Sequence, residues 1–521
     1  MSSLPKISKF TPKKNLACRE YPYIITPNPG DANYSSGNDI LFRISAGDDK
    51  SRLRCIYGPA TYGTYVITVT NSSGAAATCR LDGNSNCVFS RITTNGPGGV
   101  LEEFNKPNIY IPCVFDLNES PLSRINYWSA FGNHYLGQPE EATYALTPYT
   151  LNATAGNLAI SADNIITLVA TDPPTRALYA ASVIAIANDI QTEIAALVNT
   201  SVPYGRFVNS NVRNGYKFNN AATIANGGTS LVALAFILPS ILGSFSKRLF
   251  PISELSQSSL DVTLLCETDT KALITSTAGF TYSLSKLRLN LSIVEYNDVI
   301  TNVIREAYKQ TYTIPCNSIQ HFSQIQSTPA ADSTYSLSFN ATLQNAKGML
   351  FAFIDADNDT QLYPSLSGRT SLGIKQAQLT IGPYSIPSNR FLTYDGSTAM
   401  ASLVQHPNFF LSAMKYFGNH IDNDMICSTN IREFNTCGAL SNGTFVLAFS
   451  LEGIHEMDDE FRSTTALDGY TTFLNFTTGV TAGGNTTIHC FILYEYDIII
   501  QAGTAMAINK LTSMNGSQMY K

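Results

Sequence analysis

The sequence predicts an all-β protein made of two consecutive eight-stranded sandwiches, with short helices and a long loop insertion in the first sandwich. Three observations predict this fold: the composition, many short alternating segments between turns, and an internal repeat. Only 14% of the 521 residues are charged, against about 25% in an average soluble protein. The shortfall in charged residues is made up by Ser, Thr, Asn and Gly, together with 27 Tyr and 27 Phe. Such a mixture suits strands and turns better than long surface helices.

Charge and hydropathy exclude several classes of protein. A hydrophobic share of 44% is too high for a disordered chain, and a net charge of −6 is the wrong sign for a mainly nucleic-acid-binding protein. Residues 1–30 contain no apolar core, so we expect no signal peptide. The longest apolar stretch, 231–242, is interrupted by Pro239 and is shorter than the roughly 20 residues that span a bilayer. The ten cysteines form no C-x-x-C pair, so we expect buried thiols.

Short segments with strand-like alternation run along most of the chain. Residues 62–70 alternate aromatic and β-branched side chains with small ones, and the turn sequence Asn71-Ser-Ser-Gly follows. The same pattern predicts strands at 88–94, 260–266, 284–295, 349–354, 377–381, 444–451 and 488–500. Many short strands separated by Gly, Pro and Asn favour sandwiches.

Three segments have helical spacing instead. Residues 176–198 carry Ala and Ile at helical intervals after Pro173-Pro174, which predicts a substantial helix. Shorter helices are predicted at 240–250 and at 297–307. Residues 1–37 are polar and predict an extended N-terminal arm.

An internal repeat supports the division into two sandwiches. Gly96-Pro97 recurs as Gly382-Pro383, and the tetrapeptide Phe131-Gly-Asn-His134 recurs as Phe417-Gly-Asn-His420, both at an offset of 286 residues. We therefore expect Gly96 to superpose on Gly382, and His134 on His420.

A second offset locates an insertion. Phe236-Ile-Leu aligns with Phe449-Ser-Leu at an offset of 213, so the first copy holds 73 extra residues between His134 and Phe236. Insertions are tolerated in loops outside strand ladders, so this one is expected at one end of the first sandwich, as outer-surface relief or a subunit contact.

Facing sheets of alternating residues are the architecture of the jelly roll, and the chain is predicted to be a double jelly roll. The predicted units are an arm at 1–37, a first jelly roll at 38–296 with its insertion at about 137–230, a linking helix at 297–310, a second jelly roll at 311–500 and a tail at 501–521.

Five stretches resemble the double jelly-roll major capsid proteins of icosahedral DNA viruses, especially those of polinton-like viruses and virophages. The order and spacing of the stretches carry the resemblance, which extends from about residue 38 to 500. They are Phe89–Gly96 with Val100–Asn105, Phe236–Gly243 with Leu249–Ile252 and Leu260–Leu264, Leu287–Glu295, Asn345–Phe351, and Gln378–Pro387.

The resemblance implies a major capsid protein with no enzymatic activity and no cofactor. Such a protein forms a pseudo-hexameric homotrimer that tiles the facets of an icosahedral shell around a DNA genome. Its implied partners are neighbouring capsomers, penton proteins and minor capsid or cement proteins, and its implied location is the virion. The basic arm, with Lys6, Lys9, Lys13 and Lys14, is a candidate inner contact with genome, minor protein or membrane.

No catalytic, cofactor-binding or metal site is predicted. The six histidines, His134, His321, His406, His420, His455 and His489, form no H-x-H or H-E-x-x-H pair. The sequence 355–359 (DADND) resembles the start of a calcium loop, but Thr360 and Leu366 occupy the positions that require Gly and Glu. The acidic run Glu456, Asp458, Asp459 and Glu460 is expected to be a solvated loop.

Two other functions are compatible with this sequence. The first is a lectin-like, glycan-binding protein of two β-sandwich domains, or a minor capsid or spike protein, which the aromatic-rich composition allows. The second is a glycosidase on a double sandwich, which requires a pair of carboxylates that no motif here indicates. A stable trimer favours the shell protein, and a monomer with glycan affinity favours the lectin.

Overall fold

The computed structural model describes the cores of both predicted sandwiches. The described residues are 18–45, 51–97, 99–118, 131, 157–159, 167–169, 217–218, 223–244, 249–255, 259–275, 277–308, 311–355, 368–392, 407–417, 434, 444–451, 465–479, 481–482, 484–501 and 506–509. None of the helices in these ranges has the length and apolar character needed to cross a membrane.

Strands make up most of the described chain. Those of the first half are β1 (Cys18–Ile25), β2 (Tyr34–Ser35), β3 (Asp39–Ser45), β4 (Arg54–Ile56), β5 (Tyr62–Asn71), β6 (Cys79–Leu81), β7 (Phe89–Gly96), β8 (Gly99–Asn105), β9 (Asn157–Ala159), β10 (Thr167–Val169), β11 (Lys217–Phe218), β12 (Thr229–Ile237), β13 (Phe250–Pro251), β14 (Ser259–Cys266), β15 (Leu273–Thr275) and β16 (Phe280–Tyr296). Those of the second half are β17 (Thr311–Gln326), β18 (Thr334–Phe339), β19 (Ala346–Asp355), β20 (Gln376–Ile381), β21 (Tyr384–Leu392), β22 (Leu447–Ser450), β23 (Thr472–Thr477), β24 (Thr486–Gln501) and β25 (Met506–Asn509).

The described helices are short. They are α1 (Pro107–Asn118), α2 (Asp269–Ala272), α3 (Asp298–Tyr308) and α4 (Pro407–Tyr416). Single 3-10 turns occur at Gly58–Ala60, Ser85–Val88 and Ile252–Glu254.

The first sandwich consists of two antiparallel sheets. In sheet 1A, β12, β5, β16 and β1 lie side by side, and β2, β4 and β13 extend the same sheet. In sheet 1B the strand order is β3-β14-β7-β8. Consecutive strands of the chain thus cross repeatedly from one sheet to the other.

The second sandwich repeats this arrangement strand for strand. Sheet 2A places β22, β19, β24 and β17 side by side, and sheet 2B has the order β18-β23-β20-β21. Each half therefore has eight principal strands in the same order, and the prediction of two consecutive jelly rolls is confirmed.

Alternation along the strands explains how each sandwich builds its core. In β5, buried side chains such as Tyr65, Ile67 and Val69 alternate with half-buried Thr and Val. In β14, Leu260, Val262 and Leu264 face the same core from the opposite sheet. Because successive side chains point to opposite faces, one face of each strand closes the core and the other faces outward.

The two glycines of the repeat frame lie at the turns of equivalent hairpins, and their superposition stays a prediction. Gly96 lies at the turn of the β7–β8 hairpin, and Gly382 lies at the turn of the β20–β21 hairpin. These hairpins occupy equivalent edges of sheets 1B and 2B. His134 and His420 lie outside the described residues, so their superposition stays a prediction.

The long insertion joins β8 to β12, and its equivalent joins β21 to β22. Strand β11, which belongs to the 73-residue insertion, pairs with β6, and β6 also pairs with β15. These three short strands belong to the connections β8–β12, β5–β7 and β14–β16, so they form a small sheet at one end of the first sandwich. The described end of the insertion therefore lies outside the two main sheets, as loops tolerate. The helix predicted at 176–198 lies outside the described residues.

Two predictions about the ends of the chain need correction. Residues Cys18–Ile25, assigned to the N-terminal arm, form β1 and pair with β16 along their whole length. Residues Met506–Asn509, assigned to the tail, form β25 and pair with β24. The long strands β16 and β24 have backbone N–H and C=O groups that their other neighbours in the sheet leave unpaired. The two terminal segments pair with these groups.

The short helix predicted at 240–250 is wrong for the residues described there. Residues 240–244 form a turn in which the amides of Gly243 and Ser244 donate to the carbonyls of Ser240 and Leu238. The Ile241 amide donates to the Glu102 carboxylate, a tertiary contact that holds this turn in place. Further on, residues 250–251 form β13.

The helix predicted at 297–307 is present as α3, which lies between β16 and β17. Thr301 faces the first sandwich and accepts a hydrogen bond from the Leu53 amide at 3.0 Å. The sequence analysis missed α1 and α4. Both helices begin with proline, which suits a first helical turn, but α1 also contains Pro112, which argues against a helix.

Candidate functional site at the interface between the two sandwiches

Most residues that were weighed as possible chemistry lie outside the described part of the chain. They are His134, His406, His420, His455, the acidic run 456–460 and the arm lysines Lys6, Lys9, Lys13 and Lys14. Asp355 ends β19, and the rest of the calcium-like sequence is not described. Across the described ranges, no three His, Cys, Asp or Glu side chains are grouped so that they could hold a metal ion.

The eight described cysteines are thiols, and all except Cys18 are buried. Burial raises the pKa of Cys266 to about 12 and that of Cys490 well above its usual value. Because the thiolate is the nucleophile and the metal ligand, these buried side chains act as small hydrophobic groups.

A group of buried polar side chains lies where the sandwiches meet, with β8 against β17. Glu102 of β8 is buried, and its carboxylate accepts hydrogen bonds from the Ile241 amide at 2.9 Å and from the Ser318 hydroxyl of β17 at 3.0 Å. The Tyr496 hydroxyl of β24 donates to the Leu101 carbonyl at 3.4 Å. A carboxylate of the first sandwich is thus satisfied partly by the second.

A fully buried ion pair joins the same two units. The Arg369 side chain has 0% exposure, and its Nη2 lies 2.5 Å from Oδ2 of Asp116, near the end of α1. Arg369 also donates to the carbonyls of Thr444 and Phe445, each at 3.2 Å. Burial alone would lower the Arg369 pKa, but the nearby Cys113 and Asp116 raise it above its ordinary value, so the guanidinium stays charged.

Aromatic side chains fill the space between these polar contacts. The ring of Tyr110 on α1 lies 5.4 Å from that of Phe491 on β24. The hydroxyls of Tyr110 and Tyr416, on α1 and α4, are 3.5 Å apart. A single hydrophobic core runs through both sandwiches, so the two halves form one packed body.

The interface also brings together His321 of β17 and His489 of β24. Their Nε2 and Nδ1 atoms are 3.0 Å apart, and the rings stack at 5.2 Å. Burial, together with a smaller effect of Lys106, lowers the pKa of His321 to about 4. Burial, His321, Lys106 and Lys271 hold the pKa of His489 well below its usual value. Both imidazoles are therefore neutral at pH 7, and one donates to the other.

Lys106 is held beside this pair by an anion of the first sandwich. Its Nζ lies 2.9 Å from the Glu267 carboxylate, which also accepts from Asn108 at 2.8 Å. Burial alone would raise the Glu267 pKa, but Lys106 and these hydrogen bonds lower it below its ordinary value.

The histidine pair makes stability fall with acidification between pH 6.5 and 4. In that window the unfolded histidines take up protons and the folded ones do not, so His321 alone is expected to cost about 2 kcal/mol at pH 5. The Glu267 pKa is lowered in the folded protein, so its stabilisation is lost only as the pH falls to the ordinary range of a carboxyl group and below, and it changes little at pH 5. The double variant His321→Gln/His489→Gln should lose less melting temperature between pH 7 and pH 5 than the wild type. Equal losses in the two proteins contradict the assignment.

Sequence reasoning found none of these interface residues. His321 and His489 are 168 positions apart, and Arg369 and Asp116 are 253 apart. Only the strand register brings such residues together. The sequence did carry one signal for the buried ion pair: Arg369 is the only charged residue in the segment 360–374.

The arrangement holds two sandwiches in a fixed relative position. Asp116 and Glu267 are paired with Arg369 and Lys106, and the Glu102 carboxylate accepts two hydrogen bonds. The two neutral histidines hydrogen-bond to each other. The geometry therefore supports a structural role for the interface.

Comparison with solved structures identifies the architecture. A cryo-EM structure of the Sputnik virophage at 3.5 Å aligns with a TM-score of 0.52 at 9% identity, covering 98% of this chain and 94% of that one. The Faustovirus major capsid protein aligns with a TM-score of 0.52 at 8% identity, covering 94% and 92%. The mavirus major capsid protein gives a TM-score of 0.48 at 11% identity, covering 99% and 97%.

Sequence comparison adds nothing to this result, since no protein-family model and no curated protein matches the chain. At these identities the likeness shows the fold alone. The coverage is nearly complete on both sides, and the two sandwiches have equivalent strand orders. This chain therefore has the double jelly-roll fold, the architecture of the Faustovirus major capsid protein.

Proposed function

We propose that this chain is a major capsid protein that forms a homotrimer. The observation that carries the proposal is the packing of two equivalent sandwiches into one body through a buried interface. Three such chains present six similar units around a threefold axis, and this pseudo-hexagonal block can tile an icosahedral facet. Contacts of this kind are heterologous and close into a ring when the rotation permits.

The rest of the proposal follows from that role. The shell encloses a DNA genome, the protein resides in the virion, and it has no enzymatic activity. Its partners are neighbouring capsomers, penton proteins and minor capsid or cement proteins, and the basic arm contacts genome, minor protein or membrane. We retain the predicted division of the chain, with the first unit extended to include β1 and the last to include β25.

An exposed aromatic patch supports a contact between subunits. Tyr384, Tyr470 and Phe473 are 67%, 44% and 38% exposed. Tyr384 begins β21 directly after the β20–β21 turn, and Phe473 lies opposite Thr380 at the end of β20. The ring of Tyr470 lies against Gly382. The neighbouring outward positions of sheet 2B, such as Gln378 and Thr380, are uncharged. Aromatic side chains on an uncharged surface are typical of the centre of a protein interface.

The first test is the mass of the purified protein. Light scattering after size-exclusion chromatography should give three times 56.6 kDa, and electron microscopy should show threefold particles. The variant Tyr384→Ser/Phe473→Ser should shift the protein toward monomer. The matched control Arg43→Ser, which removes a charged group from sheet 1B, should remain trimeric. A wild-type protein that is monomeric at micromolar concentration overturns the proposal.

The same patch favours one alternative, a glycan-binding protein, because exposed aromatic rings present apolar faces with polar tips to a sugar. In that case the wild type is a monomer, and the Tyr384→Ser/Phe473→Ser variant loses binding on a glycan array. A trimer with no glycan affinity rejects the alternative.

A further inference from the structure

The contact between the two sandwiches of one chain uses one edge strand from each. Strand β8 ends sheet 1B, strand β17 ends sheet 2A, and the two pack against each other. Four residues at this contact are at most 1% exposed: Leu101 and Glu102 of β8, with Cys316 and Ser318 of β17. We call this contact of β8 with β17 the internal joint.

Strand β21 is the equivalent of β8 in the second sandwich, since it ends sheet 2B as β8 ends sheet 1B. At the offset of 286 residues, Leu101 and Glu102 correspond to Pro387 and Ser388. Pro387 is only partly buried and Ser388 is exposed. Tyr384, the first residue of β21, is 67% exposed. The edge that is buried in the first sandwich is therefore accessible in the second.

Strand β1 is the equivalent of β17, because it pairs with the long last strand of its own sandwich in the same register. Each of the two strands begins opposite the last residue of β16 or β24, and each has proline as its fifth residue, Pro22 in β1 and Pro315 in β17. This register matches Tyr23 with Cys316. Tyr23 is 44% exposed, whereas Cys316 is 1% exposed. The other edge of the joint is thus accessible in the first sandwich.

We propose that β21 of one subunit packs against β1 of a second copy of this chain, in the way that β8 packs against β17 within the chain. The inference rests on the homotrimer proposed above and names the two surfaces that meet in it. Each chain offers one β21 edge and one β1 edge, so the contact is heterologous and can close into a ring. Internal joints and subunit joints then alternate around that ring.

The side chains on the two accessible edges suit a second copy as the partner. Tyr23 and Tyr384 each combine a large apolar ring with a polar hydroxyl, and tyrosine is enriched in protein interfaces. Ser388 stands at the position where the internal joint buries the Glu102 carboxylate. A serine at this position leaves no carboxylate to be desolvated when a second copy binds.

Cross-linking of paired cysteines tests which surfaces meet. In a Cys18→Ser background, which removes the exposed thiol of β1, the variant Tyr23→Cys/Ser388→Cys is treated with a bismaleimide. Because the two cysteines lie on different edges of each chain, the links should join all three subunits, and most of the protein should run as covalent trimer on a denaturing gel. Either single variant should give several-fold less linked product.

The control variant Thr263→Cys/Ser388→Cys moves one cysteine to the outward face of sheet 1B and should also give several-fold less covalent trimer. Co-expressed chains that carry Tyr23→Cys and Ser388→Cys separately should link to each other, which shows that the link joins two subunits. Light scattering and far-ultraviolet circular dichroism check that each variant keeps its mass and its sheets. If Tyr23→Cys does not, Ile24→Cys replaces it, at a position that is 59% exposed.

The outcomes separate this inference from the proposed function. Trimers in which Tyr23→Cys/Ser388→Cys links no better than the control overturn the inference and leave the homotrimer intact. A wild-type protein that is monomeric at micromolar concentration overturns both.

Discussion

Replacing Arg369 by methionine is expected to lower the free energy of unfolding by about 3–5 kcal/mol, the cost of leaving one buried charge without its partner. The variant leaves the Asp116 carboxylate buried near the C-terminal end of α1, where the helix dipole also disfavours a negative charge. It also removes the donor that satisfies the carbonyls of Thr444 and Phe445. Since Asp116 belongs to the first sandwich and Arg369 to the second, the loss should loosen their interface.

A control variant distinguishes the loss of this buried ion pair from the loss of any charged side chain. Arg43→Met breaks the exposed pair with Asp261, which has two contacts of 3.1 Å, and it should cost no more than about 1 kcal/mol. The double variant Arg369→Met/Asp116→Leu replaces both charges by apolar groups and should be more stable than either single variant. Urea denaturation monitored by near-ultraviolet circular dichroism measures all four. A cost for Arg369→Met no larger than that for Arg43→Met contradicts the assignment.

The strands were predictable because their physical cause is local. In β5 and β14, every second side chain is apolar. Such alternation is typical of a strand in a sheet with one buried face. The repeat then added what alternation cannot supply, namely which strands are equivalent. The equivalence of the β7–β8 and β20–β21 hairpins followed from one Gly-Pro pair and a constant offset.

Elements whose cause is not local were missed. Helix α1 contains Pro112 and two Asn, and it is stabilised by burying Ile109, Tyr110 and Phe115 between the sandwiches. The segment 240–244 has helical residues but forms a turn, and the Ile241 amide in it donates to the distant Glu102. Tertiary contacts outweigh local propensity in both cases.

The interface could not be predicted for the same reason. Glu102 lies opposite Thr94 on the same buried face of β8 as Phe104, where alternation predicts an apolar residue. Nothing in the neighbouring sequence indicates that Ser318 will lie 3.0 Å away. The histidine pair depends on the register of β17 against β24, and a slip of one residue would place the two rings on opposite faces.

Gly63→Ala is expected to destabilise the first sandwich strongly. Gly63 of β5 lies opposite Phe236 of β12, and an added Cβ would lie 1.9 Å from Cζ of that ring. The ring cannot move away, because it packs against Tyr65 at 5.9 Å and Phe89 at 4.8 Å. Overpacking of this kind costs about 1–3 kcal/mol and occasionally more. The control Thr263→Val places a methyl group where a hydroxyl stood, outside the core, and should change stability by less than about 0.5 kcal/mol.

A double-mutant cycle distinguishes this steric clash from a backbone conformation that requires glycine. Phe236→Leu removes the ring that the methyl group would meet, at its own cost from the cavity that remains. If the clash is the cause, Gly63→Ala should be nearly harmless in the Phe236→Leu background, with a coupling of about 0.5–3 kcal/mol between the two sites. Additive costs would mean that glycine is required here by the backbone. The φ angle of Gly63 is not among the positive values of the described residues, so the backbone there accepts any residue, and the ring alone is expected to set the requirement for glycine.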